Sequence, residues 1–150
     1  MRFRFIWIGK TRNKHWRGLQ DEYLGRLEHF VKCSVVEIKE SAPHEGPEAE
    51  AKKFLKLLPK DSFVVLLDVK GRSISSHQLS AEVAKWQEGA IKELIFLIGG
   101  AEGVTSEVAE RANDRLSLSF LTFTHDMSRV LLFEQLYRAF SILKGFPYQK

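Results

Sequence analysis

The run Leu94, Ile95, Phe96, Leu97, Ile98, followed at once by Gly99 and Gly100, constrains this chain more than any other feature. Consecutive apolar residues ending in a glycine pair read as a strand buried on both faces, the kind found in parallel sheets. Ligands of such sheets sit at the carboxyl ends of the strands, where glycines let a backbone come close. Residues 94–143 therefore organise the reading, and the residues upstream form their scaffold.

The same alternation recurs along the chain. Residues 2–8 alternate Arg2, Phe3, Arg4, Phe5 and then turn apolar up to Gly9, the pattern of a first strand. Residues 14–30 place Trp16, Leu19, Tyr23, Leu27 and Phe30 at three- and four-residue steps, which predicts an amphipathic helix. A strand over residues 34–38 leads into a loop with Pro43 and Pro47, then a helix from about Glu48 until Pro59 stops it. Residues 63–67 read as a strand. Residues 76–88 read as a helix burying Leu79, Val83 and Trp86 and ended by Gly89. Thr105 caps a short helix with Val108, Ala109 and Ala112 inward, and lacks the acid or amide of a capping box. Strand and helix alternating to the end predict a single-domain α/β fold over residues 1–150, a mostly parallel sheet with helices on both faces.

The last helix is wider in its apolar surface than one stripe requires. Apolar or aromatic residues occupy 130, 131, 132, 133, 136, 137, 139, 140, 142 and 143. Such a helix needs cover on most sides, and a second subunit is the simplest source, so a homodimer is expected.

Charge and composition narrow the partners. The apolar fraction of 44% and charged fraction of 28% belong to a folded domain and not to a disordered tail. No window approaches the roughly 20 apolar residues of a membrane span, and residues 5–8 are too short an apolar run for a signal peptide. The single cysteine, Cys33, suits a reducing compartment, and the expected location is the cytoplasm. The net charge of +4 is uneven: residues 1–32 hold eight Lys and Arg against three Asp and Glu. That excess is the footprint of a surface touching a polyanion, or of a solubilising surface.

Several chemistries lose their usual support. Gly9 is followed by Lys10 and Thr11, so no dinucleotide fingerprint follows the first strand, and no phosphate-binding P-loop motif occurs. The histidines at 15, 29, 44, 77 and 125 show no ligand spacing, and no metal is expected. No GxSxG is present, and Cys33 reads as an inert buried thiol.

Three strand-end loops remain: residues 67–71, residues 99–103, and residues 116–124. Their polar groups are mostly backbone, framed by apolar side chains, which suits adenine and a thioether better than a triphosphate. Asp68 is open to two readings, a ribose acceptor or an Asx turn, and Glu102 is read as a loop residue. Arg138 interrupts the apolar helix four residues after Glu134, which fits an internal ion pair or a guanidinium facing a phosphate. The tail ends with Tyr148 and Lys150, an aromatic beside a base, open to two readings: a clamp on a nucleotide or, as is usual for a terminus, a frayed end.

With FLIGGAEG, LSLSFLTFTH and RVLLFEQLYRAFSILKGFPY together, the chain resembles, over nearly its whole length, the small SPOUT-class methyltransferases that act at N3 of a pseudouridine in large-subunit (23S) ribosomal RNA. The resemblance implies a C-terminal trefoil knot, S-adenosylmethionine bound there, a homodimer, and a substrate presented by the assembled (70S) ribosome. It also implies donor contacts at Leu67, Gly99, Leu118, Ser119, Phe120, Leu121, Thr122 and Phe123, with Arg138 near the target nucleotide and Tyr148 completing the substrate side. The chain departs from many members at Ala101, Thr124 and Gln149, the first two at prolines and the last at a tail histidine, and its loop over residues 41–48 is short. Gln149 removes any indispensable role for that histidine. Two rivals follow: a ribosome-binding protein that keeps the fold without the activity, and a methyltransferase with another RNA target. Under the main reading, the basic N-terminal quarter and the tail meet RNA by shape and phosphate.

Overall fold

The computed structural model describes residues 1–100 and 103–148. In chain order these form β1 (Arg2–Ile8), α1 (Lys14–Leu27), β2 (Lys32–Ile38), α2 (Gly46–Lys56), β3 (Phe63–Ser73), α3 (Ser76–Glu88), β4 (Glu93–Ile98), α4 (Ser106–Arg111), β5 (Asp114–Ser117) and α5 (His125–Lys144). The strands make one sheet of five in the order β2-β1-β4-β3-β5, every neighbour parallel.

The period of two along β1 divides the core into two layers. Phe3, Phe5 and Trp7 point to one face, with Leu27, Val83, Trp86, Phe133, Leu136 and Phe140 from α1, α3 and α5. Ile6 and Ile8 point to the other face, with Ala51, Phe54 and Val108 from α2 and α4. The first layer is aromatic: the Phe5 ring lies 4.6 Å from Phe133 and 5.3 Å from Phe96. Each such ring contributes about 1.5–3 kcal/mol through burial, so this layer dominates cohesion.

α5 runs antiparallel to β1. Arg129 reaches the carbonyl of Ile8, Phe133 meets Phe5, and Phe140 meets Phe3. It lies between α1 and α3, which supply within the chain much of the cover expected from a second subunit. Leu143 remains 38% exposed and Phe146 51%.

Three local features differ from expectation. α5 begins at His125, five residues before the apolar pattern, because Thr124 caps it by accepting from the Met127 N–H at 3.4 Å. Gly89 ends α3 in an extended conformation (φ −73°, ψ 165°) and not in the left-handed one. β3 continues past Leu67 to Ser73. Leu67 and Arg72 both face Leu116 of β5, so residues 68–71 bulge out of the ladder. The bulge returns through Gly71, where a Cβ would lie 2.7 Å from the Arg115 carbonyl carbon. Arg72 then grips Asp114 with two hydrogen bonds of 3.1 and 2.6 Å.

Candidate active site

Strand order brings the three loops to one place. β3 lies between β4 and β5, and Leu67 pairs in register with both Ile98 and Leu116. Leu67, Gly99 and the segment 118–123 therefore leave adjacent strand ends on the carboxyl edge of the sheet.

Each turn has a local cause. In the first, Asp68 Oδ1 accepts from the Lys70 N–H at 2.9 Å, which is the Asx-turn alternative for that residue. In the second, the Gly103 N–H donates to the Gly100 carbonyl at 2.9 Å. Gly103 has φ +76°, which only glycine adopts without strain, and a Cβ at Gly99 would meet Val104 at 2.9 Å. The tightness of the turn alone thus requires Gly99. Ala101 and Glu102 lie outside the described residues, as do Gln149 and Lys150.

The third turn is held by serines. Ser117 Oγ donates to the Ser119 carbonyl at 2.8 Å, and Ser119 Oγ accepts from the Leu121 N–H at 3.0 Å. That leaves Phe120 88% exposed and Leu121 71% exposed. β5 ends at Ser117, and beyond it Leu118 and Phe123 are half-buried while Thr122 is exposed. The rim thus presents bare backbone and exposed apolar side chains. Among the described residues, no group of His, Cys, Asp or Glu is arranged to hold a metal, and no helix is long and apolar enough to cross a membrane.

The second set of expected residues lies elsewhere. Arg138 forms an ion pair with Glu134 one turn earlier, its Nε donating to Glu134 Oε1 at 3.0 Å. The Tyr148 hydroxyl donates to the same oxygen at 2.9 Å, and the Arg138 guanidinium stacks 5.0 Å from the Tyr148 ring centre. Tyr148 also packs edge-on against Tyr137 at 4.8 Å, which anchors the tail on α5. The hydrogen bond to Glu134 holds the Arg138 pKa above its ordinary value. Burial, then the hydrogen bonds with Glu134 and Tyr23, push the Tyr148 hydroxyl well up, so it is a donor at neutral pH. The i,i+4 ion pair is therefore real, on a side chain still 25% exposed.

These two sets do not meet within one chain. From His125, beside the serine turn, to Arg138 is 13 residues of helix, or about 20 Å at 1.5 Å per residue. Arg138 lies in the C-terminal half of α5, away from the serine turn at its start.

Arg129 is a residue whose environment sequence reasoning missed. It is 4% exposed, stacks 4.7 Å from the Trp7 ring centre, and donates to the Ile8 carbonyl at 2.7 Å and to Thr11 Oγ1 at 2.8 Å. Burial lowers its pKa, against the pull of Asp126. Besides Asp126, three residues earlier at 3.4 Å, its partners Thr11 and Ile8 lie more than a hundred residues away in sequence, and no local pattern signals those two.

A profile described as "Predicted SPOUT methyltransferase" matches residues 1–149. The chain belongs to the SPOUT methyltransferase family. Among its relatives, the "Ribosomal RNA large subunit methyltransferase H" of Geotalea daltonii is 40% identical over 99% of both chains. The protein of the same name from Geobacter metallireducens is 40% identical over 99% of this chain and 98% of its own. That of Sorangium cellulosum is 38% identical over 94% of each. A probable methylase family protein from Haemophilus influenzae shares the fold with a TM-score of 0.58 at 15% identity, across 99% of this chain and 70% of its own. The five-stranded parallel sheet with helices on both faces is thus the fold of a SPOUT methyltransferase, and the chain is a methyltransferase by family.

Proposed function

We propose that the protein methylates N3 of a pseudouridine in large-subunit ribosomal RNA on the assembled ribosome, using S-adenosylmethionine, as a homodimer in the cytoplasm with a C-terminal trefoil knot. The observation that carries this reading is the convergence of Leu67, Gly99 and residues 118–123 at adjoining strand ends of a SPOUT fold. The relatives' shared name supports ribosomal RNA as substrate. The close pass of Gly71 over β5 is consistent with the knot.

In this reading, backbone groups at Leu67 and Gly99 and around Ser119 hold the donor, and Phe120 and Leu121 cover its apolar parts. S-adenosylmethionine supplies a methyl group already activated on a sulfonium. The protein then has to orient the base, exclude water and ease loss of the N3 proton. Arg138 favours the base with its N3 proton gone, by placing a fixed positive charge beside it. Tyr148 donates a hydrogen bond or stacks on the base, and Glu134 fixes both side chains. The separation along α5 supports the dimer, since a second copy turned about a two-fold axis can bring its Arg138 and Tyr148 to the first copy's donor edge.

The test is methyl transfer from labelled S-adenosylmethionine to purified ribosomes, followed by mapping of the modified nucleoside. Methyl incorporation at N3 of one pseudouridine is expected. Ribosome binding without donor binding, or methylation at a different atom, would contradict the reading.

A further inference from the structure

A cavity of about 800 Å³ opens at the carboxyl ends of β1 and β2, lined by Gly9, Lys10, Arg12 and Lys39 together with acidic residues. It lies on the same edge of the sheet as the three donor turns. β1 pairs directly with β4, the strand that runs into Gly99, so the cleft and that turn follow neighbouring strands.

We propose that this cleft binds phosphates of the RNA strand flanking the target nucleotide, an inference that rests on the function proposed above. The charges point that way once the internal pairs are accounted for. Glu37 is engaged: it accepts from the Thr11 N–H at 2.9 Å, the Trp7 indole at 3.1 Å and Arg17 at 3.2 Å. Glu45 accepts from the Ala42 N–H at 3.0 Å, which fixes its carboxylate but leaves its charge in place. Glu40 lies over Gly9, where its carboxylate oxygen would be 2.6 Å from an added Cβ. Against Glu40 and Glu45 stand Lys10, Arg12 and Lys39, all exposed, which leaves the lining with a cation in excess.

The presentation of these cations is also built in. Thr11, between Lys10 and Arg12, is 2% exposed and points inward. Its hydroxyl accepts from Arg129 at 2.8 Å and from Gln20 at 2.7 Å, while Arg129 also holds the Ile8 carbonyl. A loop clamped from beneath holds Lys10 and Arg12 outward before any ligand arrives, which lowers the ordering cost of binding. Within this clamp, Arg129 Nε is buried without a hydrogen-bond partner among the described residues. Interleaved cations on a fixed backbone suit a phosphodiester chain, which is recognised by charge and spacing and not by base identity.

The test compares wild type, the double variant Lys10→Glu/Arg12→Glu, and the control Lys60→Glu at the opposite edge of the sheet. Each is titrated onto purified 70S ribosomes over a series of salt concentrations, and with S-adenosylmethionine alone by calorimetry. The double variant is expected to bind ribosomes at least tenfold more weakly, with a salt slope shallower by roughly 1.5–2, while its donor affinity stays within twofold of wild type. Ribosome affinity and slope matching the Lys60→Glu control would overturn the proposal, as would a parallel loss of donor binding, which would assign the loop to the cofactor. A wild-type protein that binds S-adenosylmethionine but no ribosome would overturn the proposed function, and this site with it.

Discussion

Leu67, Gly99 and residues 118–123 offer bare backbone and exposed apolar side chains on the rim of a sheet. Glu134, Arg138 and Tyr148 are side chains locked to one another on a packed helix. The rim owes its shape to strand register and tight turns, so its geometry is set by the whole sheet. The helix cluster owes its shape to one turn of α5 and a folded-back tail, so its geometry is local. In the proposed function the first region holds the methyl donor and the second places charge beside the target base. About 20 Å of helix separates the two regions in one chain.

The largest effect should come from the helix side. Arg138→Ala is expected to lower turnover on ribosomes about 10²-fold or more, the usual scale for losing one fixed charge-stabilising group. Donor affinity measured by calorimetry should stay within twofold. An equal loss of donor affinity would show that the two regions are not functionally separate.

On the rim, backbone packing dominates. Gly71→Val pushes a side chain into the backbone of Arg115 and Leu116. A loss of about 1–3 kcal/mol or more is expected in urea unfolding, accompanied by weaker donor binding. By contrast, Phe120 is 88% exposed, so Phe120→Ala should change stability by less than about 0.5 kcal/mol while weakening donor binding several-fold. Separating these two outcomes tells a residue that shapes the rim from one that faces the ligand.

The smallest effect concerns Glu37, at the cleft between the rim and α1. Burial alone would raise its pKa, but the Thr11 N–H, the Trp7 indole and Arg17 outweigh it and hold the carboxyl below its ordinary value. A depressed folded pKa gives stability that is present above the unfolded value, near 4.5, and lost as pH falls through the folded one. Wild type should therefore lose stability below about pH 4.5 more steeply than Glu37→Gln, as acid titration of thermal unfolding would record.

Much of this contrast was readable from residue order, because it rests on short-range patterns. The apolar run before Gly99 and Gly100, the spacing of Leu79, Val83 and Trp86, and the four-residue step from Glu134 to Arg138 each carry a local period that the fold preserves. The extension of β3 to Ser73 was not readable. Asp68, Lys70, Gly71 and Arg72 show no strand alternation, and only pairing with Leu116 and Ser117 of β5 makes part of that stretch a strand. The loop over residues 116–124 was readable as a loop, but not the way Ser117 and Ser119 fold it back after β5. The width of the apolar surface on α5 pointed to a partner subunit, while α1 and α3 already flank that helix. The cage around Arg129 joins residues far apart in sequence and becomes visible only when α5 lies along β1.

The most direct test of the divided site is complementation between two defective chains. Arg138→Ala removes the helix half and Gly99→Val removes the donor half, and each alone should be nearly inactive on ribosomes. Unfolding and refolding the two together in equal amounts should restore about a quarter of wild-type turnover, since half the dimers would be mixed and each mixed dimer would carry one complete site. Recovery of activity at that level is the result expected if each site draws on two subunits. No recovery, with mixed dimers demonstrably formed, would mean that each chain builds its site alone.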